Sequence, residues 1–201
     1  LKERLARIVV GEDFQRRPLT AAQLKARALL QLVAQQREAA VERQLAAVND
    51  FFNAQVAWRD DREVWGQVDY WASPLEMLAK GAGDCEDLAM GKYFALLGLG
   101  LPEASLRLVY VRAQYQGRVQ AHMVLAWYAQ PDAQPLILDN LDPALRRASE
   151  RSDLAPVFSF NAQGLWQGGS AGGGAMQAAG NPLTRLTIWR DALARARAEG
   201  F

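Results

Sequence analysis

Residues 70–99 run YWASPLEMLAKGAGDCEDLAMGKYFALLGL, two helical segments hinged on a glycine turn with the chain's one cysteine at the hinge. Ser73, Pro74 and Glu76 have the types and spacing of a helix start: a capping hydroxyl, a first-turn proline, and a side chain that returns the capping bond. Gly81 can end that helix, because it enters the left-handed conformation without a Cβ clash. A second helix is expected from Asp84 as its cap to about Gly98. Cys85 then falls in a first turn, where the unpaired backbone N–H groups favour an anion such as a thiolate.

Upstream, a long helix is expected from about Thr20 to Val48, opened by the capping-box pair Thr20 and Gln23. Leu24, Ala28, Leu32 and Leu45 fit its buried stripe, with Lys25, Arg27, Arg37, Glu38 and Glu42 largely off it. Asn49 and Asp50 are expected to break the pattern before Phe51 and Phe52. Downstream the character changes. LRLVYVRAQ at 106–114 and RVQAHMVLAWYA at 118–129 are rich in β-branched and aromatic residues and flank a Gln116-Gly117 turn, which predicts a hairpin. LILD at 136–139 adds a third strand ending at Asp139, so the three form an antiparallel meander. Helices first and strands second argue for an α+β fold, N-terminal helices packed on an antiparallel sheet.

The organisation expected is one domain over 1–201: a helical part to about 100, a β-rich part over about 104–160, a mobile glycine-rich loop over about 164–181, and a C-terminal helix in TIWRDALARARAEG. The 23 basic and 22 acidic residues leave a net charge of +1, which provides no field for nucleic acid or an anionic membrane. One cysteine allows no internal disulfide, and one cysteine with one histidine makes no zinc cluster. The glycine run lacks the Lys-Ser or Lys-Thr of a phosphate loop, and the six tryptophans follow no basic stripe. No apolar run approaches the ~20 residues of a membrane-spanning helix. The start at Leu1, without an initiator methionine or a signal pattern, is expected of a trimmed mature form.

Three side chains can divide the work of a thiol enzyme. Cys85 is the nucleophile; His122, the sole histidine, lies in the second predicted strand as general base; Asp139 orients the imidazole and stabilises its cation. Each also has a plain structural role open to it: an inert buried thiol, a satisfied strand histidine, an aspartate closing a turn. Asp84, Glu86 and Asp87 crowd the turn of the thiol and should oppose its ionisation. Acids complement a helix N-terminus, but only Asp84 reads as a cap. The excess points to a hard cation, for which calcium with its six to eight oxygen ligands is suited.

The blocks YWASPLEMLAKGAGDCEDLAMGKYFALLGLGLP, AHMVLAWY and LILDNLDP, spanning Tyr70 to Pro143, resemble the bacterial transglutaminase-like cysteine proteinases of the periplasmic LapG type. The resemblance implies a papain-like α+β fold, the triad Cys85, His122 and Asp139, and calcium at Asp84 and Glu86 with Asp87 as a further participant. It implies cleavage of the N-terminal region of a large cell-surface adhesin after a pair of alanines, releasing the adhesin and dispersing biofilm. It also implies a periplasmic location and an inhibitory partner, an inner-membrane cyclic-di-GMP receptor of the LapD type. Gln177-Ala178-Ala179-Gly180 is similar to the family's cleavage motif. Two rivals remain open at this point: an acyl-transferring transglutaminase-like enzyme and a catalytically silent periplasmic adaptor.

Overall fold

A computed structural model describes residues 19–167 and 177–201. Helix α1 spans Ala21–Gln36 and opens as expected: the Thr20 hydroxyl accepts from the Gln23 N–H, and the Gln23 side chain accepts from the Thr20 N–H. The helix does not run on to Val48. It ends at Gln36, and α2, Val41–Gln55, starts after a short turn. The Gln44 amide explains the break, since it donates to the carbonyls of Gln36 and Arg37 and satisfies acceptors that the end of a helix leaves open. The buried stripe of α1 is Ala26, Leu29 and Val33, whereas Leu24 is exposed. Asn49 and Asp50 sit inside α2 rather than ending it. Asn49 is buried and donates to the Pro143 carbonyl at 2.7 Å, a tertiary partner that outweighs its modest helix propensity.

Strand β1 (Ala57–Trp58) pairs in parallel with β2 (Ala82–Gly83), with a short helix α3 (Asp61–Val64) and helix α4 (Pro74–Lys80) between them. The reciprocal Ser73–Glu76 cap is formed, and Gly81 ends α4 at φ 67°. Helix α5, Cys85–Leu99, follows directly and is buried almost all round: Leu88, Met90, Tyr93, Phe94, Leu96 and Leu99 lie in the main core. Gly91 permits the close approach of α2 and α4, since a Cβ there would meet Phe52 Cε1 and Met77 Cε at 2.6 Å.

The sheet is formed by β3 (Leu106–Tyr115), β4 (Arg118–Trp127), β5 (Leu136–Leu138), β6 (Arg146–Arg147), β7 (Leu154–Phe160), β8 (Leu165–Gln167) and β9 (Gln177–Gly180). Their order is β6-β5-β4-β3-β7-β8-β9, every pair antiparallel. Gln116 and Gly117 both take positive φ, the conformation of a two-residue hairpin turn that suits strand twist. The expectation of a mobile loop over 164–181 is corrected at both flanks, which are β8 and β9; residues 168–176 lie outside the described residues. Poor apolar content is offset there by the ladder of hydrogen bonds, by burial of Leu165, and by Trp166 stacked on the Arg107 guanidinium at 4.1 Å.

Helix α5 lies between α1 and α2 on one side and β3 and β4 on the other, which sets Cys85 against the strand that carries His122. After a short helix α6 (Pro182–Arg185), helix α7 (Thr187–Glu199) packs back on the body, with Trp189 buried among Tyr93, Phe94 and Phe160. Val109, Val111, Val124, Ile137 and Leu154 form a smaller second core, against which Leu141 and Ala148 pack. The segment that follows Asp139 thus covers that second core. Among the described residues, no helix is long and apolar enough to cross a membrane.

Candidate active site and acidic cluster

Cys85 is the first residue of α5 and is half-buried. The turn into it passes tightly over Asp87: a Cβ on Gly83 would come within 2.7 Å of Asp87 Oδ2. The thiol donates to Glu86 Oε2 at 2.9 Å and lies beside the backbone N–H of Met123, the residue after His122. Burial pushes the thiol well above its usual range, the charge of Glu86 and its hydrogen bond add to that, Asp84 adds more, and the Met123 N–H opposes them. Asp84 occupies the cap position, but its side chain makes no capping bond, which corrects the expectation for that residue.

Strand β5 pairs with β4 only at Leu125, Ala126 and Trp127, so the chain leaves the sheet at Asp139 just below the level of His122. His122 Nε2 and Asp139 Oδ1 are 2.7 Å apart, and both side chains are buried. Asp139 Oδ1 also accepts the N–H groups of Asn140 and Leu141, at 2.6 and 3.1 Å. Asp139 Oδ2 accepts from Arg151 Nη2 at 2.7 Å. Arg151 in turn donates through Nε and Nη2 to both oxygens of Asp153. Burial works to raise the Asp139 carboxyl, but the bonds from His122 and Arg151 outweigh it and hold the group well below the usual carboxylate range. An ionised carboxylate can only accept, which favours a ring proton on Nε2 and leaves Nδ1 to accept. Asn53 donates to the Asp139 carbonyl at 2.8 Å, tying this corner to α2.

The acids behave differently. One oxygen each from Asp61, Asp84 and Asp87 lies within 4.8 Å of the others, and the same holds for Asp61, Asp69 and Glu86. Asp61 Oδ2 accepts the Tyr70 N–H at 2.5 Å, and Asp87 Oδ1 accepts the Ala72 N–H at 2.6 Å. Their second oxygens, Asp61 Oδ1 and Asp87 Oδ2, are buried without a partner, as is Asp84 Oδ1. Burial first and mutual repulsion second push Asp84 up to about 10. Burial likewise drives Asp87 to about 8 and Asp61 to about 6, with Glu86 adding repulsion and backbone N–H bonds acting against the rise. Three clustered acids, each with a buried carboxylate oxygen that has no partner, could hold a hard divalent cation.

The structure thus brings Asp84 and Glu86 to the thiol, sets Asp87 with Asp61 and Asp84, and pairs His122 with Asp139 on the strand whose Met123 N–H lies beside the thiol. Sequence reasoning missed Asp61, Asp69 and Arg151. Asp61 stands in Arg-Asp-Asp-Arg, which reads as a solvated charge run, and Arg151 has no local pattern that separates it from a surface arginine.

A mixed fold of helices and antiparallel sheet, with a thiol at the head of the central helix, defines the transglutaminase-like cysteine protease class. The family described as bacterial transglutaminase-like cysteine proteinase BTLCP matches residues 16–153, and the chain belongs to that family. Among solved structures, LapG of Legionella pneumophila is similar at 34% identity with a TM-score of 0.79, covering 96% of this chain and 95% of that one. The EGTA-treated form of LapG has the same identity and TM-score and is covered to 96%. Its calcium-bound form is similar at 35% identity with a TM-score of 0.78, covering 96% of this chain and 97% of that one. Comparison with the curated proteins gives no match.

Proposed function

We propose that the protein is a calcium-dependent cysteine endopeptidase with Cys85, His122 and Asp139 as its triad. The observation that carries this is the sole imidazole, bound through Nε2 to a buried ionised carboxylate, on the strand whose next N–H flanks the sole thiol. His122 Nδ1 takes the thiol proton, and Cys85 Sγ attacks the scissile carbonyl carbon. The proton passes to the leaving amine, an acyl-enzyme forms, and water deprotonated by His122 releases the acid. Asp139 holds the ring and stabilises its cation throughout. The Cys85 N–H, at the head of α5, is a donor for the oxyanion.

Calcium fits the acidic cluster, with Asp61, Asp84, Glu86 and Asp87 as its holders. When bound it neutralises carboxylates whose charge opposes ionisation of Cys85. Support comes from the orphaned oxygens and from the relatives obtained in calcium-bound and EGTA-treated forms. The likeness to LapG supports a finer reading. The substrate is the N-terminal region of a large surface adhesin, cut at an Ala-Ala or Ala-Gly type bond. Its release promotes biofilm dispersal, the site of action is the periplasm, and an inner-membrane cyclic-di-GMP receptor of the LapD type withholds the enzyme.

The test is cleavage of a purified adhesin N-terminal fragment bearing a double-alanine site. Cutting that disappears in Cys85→Ala and under EGTA, and returns with added calcium, is the expected result. Undiminished cutting by Cys85→Ala overturns the protease assignment, and indifference to EGTA overturns the role of calcium.

A further inference from the structure

We propose that Arg151 is a positioning residue of the catalytic pair: clamped by Asp153, its guanidinium fixes the Asp139 carboxylate so that His122 keeps its proton on Nε2 and presents Nδ1 to the thiol. The inference rests on the triad chemistry proposed above and extends it to a residue outside the triad.

Asp139 uses both of its carboxylate oxygens. Oδ1 receives three donors, the His122 ring and two consecutive backbone N–H groups. Oδ2 receives Arg151 Nη2. The Asp139 side chain is fully buried and that of Arg151 is 3% exposed, so water does not replace a lost bond at low cost. Without the guanidinium, the carboxylate would keep a buried, unpaired oxygen. It can answer by turning to share its donors or by taking up a proton. A protonated Asp139 donates to His122 Nε2 instead of accepting from it, and the ring proton then resides on Nδ1, the nitrogen that must receive the thiol proton. Loss of Arg151 therefore acts on the chemistry through the tautomer of His122.

The guanidinium is itself held on two sides. Asp153 accepts Nε at 2.9 Å and Nη2 at 2.8 Å, a forked geometry that a lysine ammonium does not reproduce. The backbone is fixed as well: the Arg151 N–H donates to Ala148, the Arg151 carbonyl accepts from Leu154 at the start of β7, and the Asp153 carbonyl accepts from Gln114 of β3. Lys92, also buried, acts on Asp139 through its charge, whereas Arg151 makes the bond to Oδ2.

His122 is the only histidine, so the imidazole region of a nitrogen-15 correlation spectrum contains one ring and reports its tautomer directly. The full chain is compared with Arg151→Met, Arg151→Lys and Asp153→Asn, with folding checked by thermal melting. The wild type is expected to show the Nε2–H tautomer with a downfield ring proton. Arg151→Met should lose that signal to a mixed or inverted tautomer, with kcat on the adhesin fragment lowered about 10²-fold, the scale of a small misplacement of a catalytic group. KM should stay within about twofold, because the interaction acts on the reaction and not on substrate binding. Arg151→Lys should recover part of both readouts.

A folded Arg151→Met with wild-type ring signals and undiminished kcat overturns the proposal. If Arg151→Met fails to fold, Asp153→Asn decides: a changed ring signal supports the clamp, and an unchanged one overturns it. A wild type that shows the expected tautomer but cuts nothing refutes the protease assignment alone, while the ring signal of Arg151→Met still judges the positioning role.

Discussion

The two flanks of Cys85 carry opposite electrostatic designs. On the strand side, both oxygens of Asp139 are bonded, its charge is balanced by Arg151, and the carboxyl sits well below the usual range. On the acidic side, Asp61, Asp84 and Asp87 share a small buried volume, each leaves an oxygen unpaired, and all three are pushed up. The first flank is complete in the polypeptide. The second carries uncompensated acidity, and the thiol feels that imbalance through Glu86 and Asp84. On the proposed function such a site separates two tasks: the chain itself orients the imidazole, and a bound cation would set the field around the nucleophile.

The largest effect is expected at Asp139. Asp139→Asn should leave a folded protein whose turnover falls by about 10⁴-fold, as when an orienting carboxylate is lost from such a triad. Activity on the adhesin fragment within tenfold of wild type would show that the strand flank does not serve the imidazole. Next in size is the response of the acidic flank to calcium. At a free concentration about 100 times Kd, linkage raises unfolding stability by about 2.7 kcal/mol, measurable as a calcium-dependent melting temperature. A melting curve indifferent to calcium would remove the ion from that flank.

In calcium-free protein the two flanks should also titrate with opposite sign. Asp61 and Asp87 hold protons in the folded state above the ordinary carboxylate value, so the folded form binds more protons than the unfolded form. Stability then falls as pH rises from about 4, through about 6 for Asp61 and about 8 for Asp87, by at most about 1.4 kcal/mol per pH unit for each proton. Asp139 works the other way: its contribution is present above the ordinary carboxylate value and is lost as pH falls through its depressed one. Urea unfolding at about pH 5 and about pH 8 should show lower stability at the higher pH without calcium, a trend that calcium suppresses. Equal stabilities without calcium would contradict the frustration assigned to the acids. The smallest effect is expected of Asp84→Asn, whose side chain caps nothing. It should stabilise the calcium-free protein by on the order of 1 kcal/mol and reduce the gain from calcium, so the sign of its effect reverses with the ion. Destabilisation in both conditions would mean that Asp84 supports the fold and not the cation.

Where a contact lies within a few residues, the sequence shows it. The Ser73–Glu76 cap, the Gly81 stop and the Gln116-Gly117 turn are local bonds and local φ preferences, and all three are formed. The α+β class followed from helical and alternating periodicity in separate halves of the chain. The break after Gln36 was hidden because it depends on Gln44 reaching back to two carbonyls, and Asn49 stays helical because Pro143 lies opposite. Strands β8 and β9 escaped notice because glycine-rich composition does not reveal a ladder partner.

By itself the sequence determined that the chain holds one thiol, one imidazole and a crowd of acids at one helix start, because residue counts and near-neighbour spacing need no fold. The tertiary structure alone decided that β5 ends where it delivers Asp139 to His122, that Asp61 and Asp69 join the acids of α5, and that Arg151 and Asp153 close the network. Those contacts link residues far apart along the chain. They arise from packing α5 between a helix pair and the sheet, a choice set by burial of the whole core and not by any local preference.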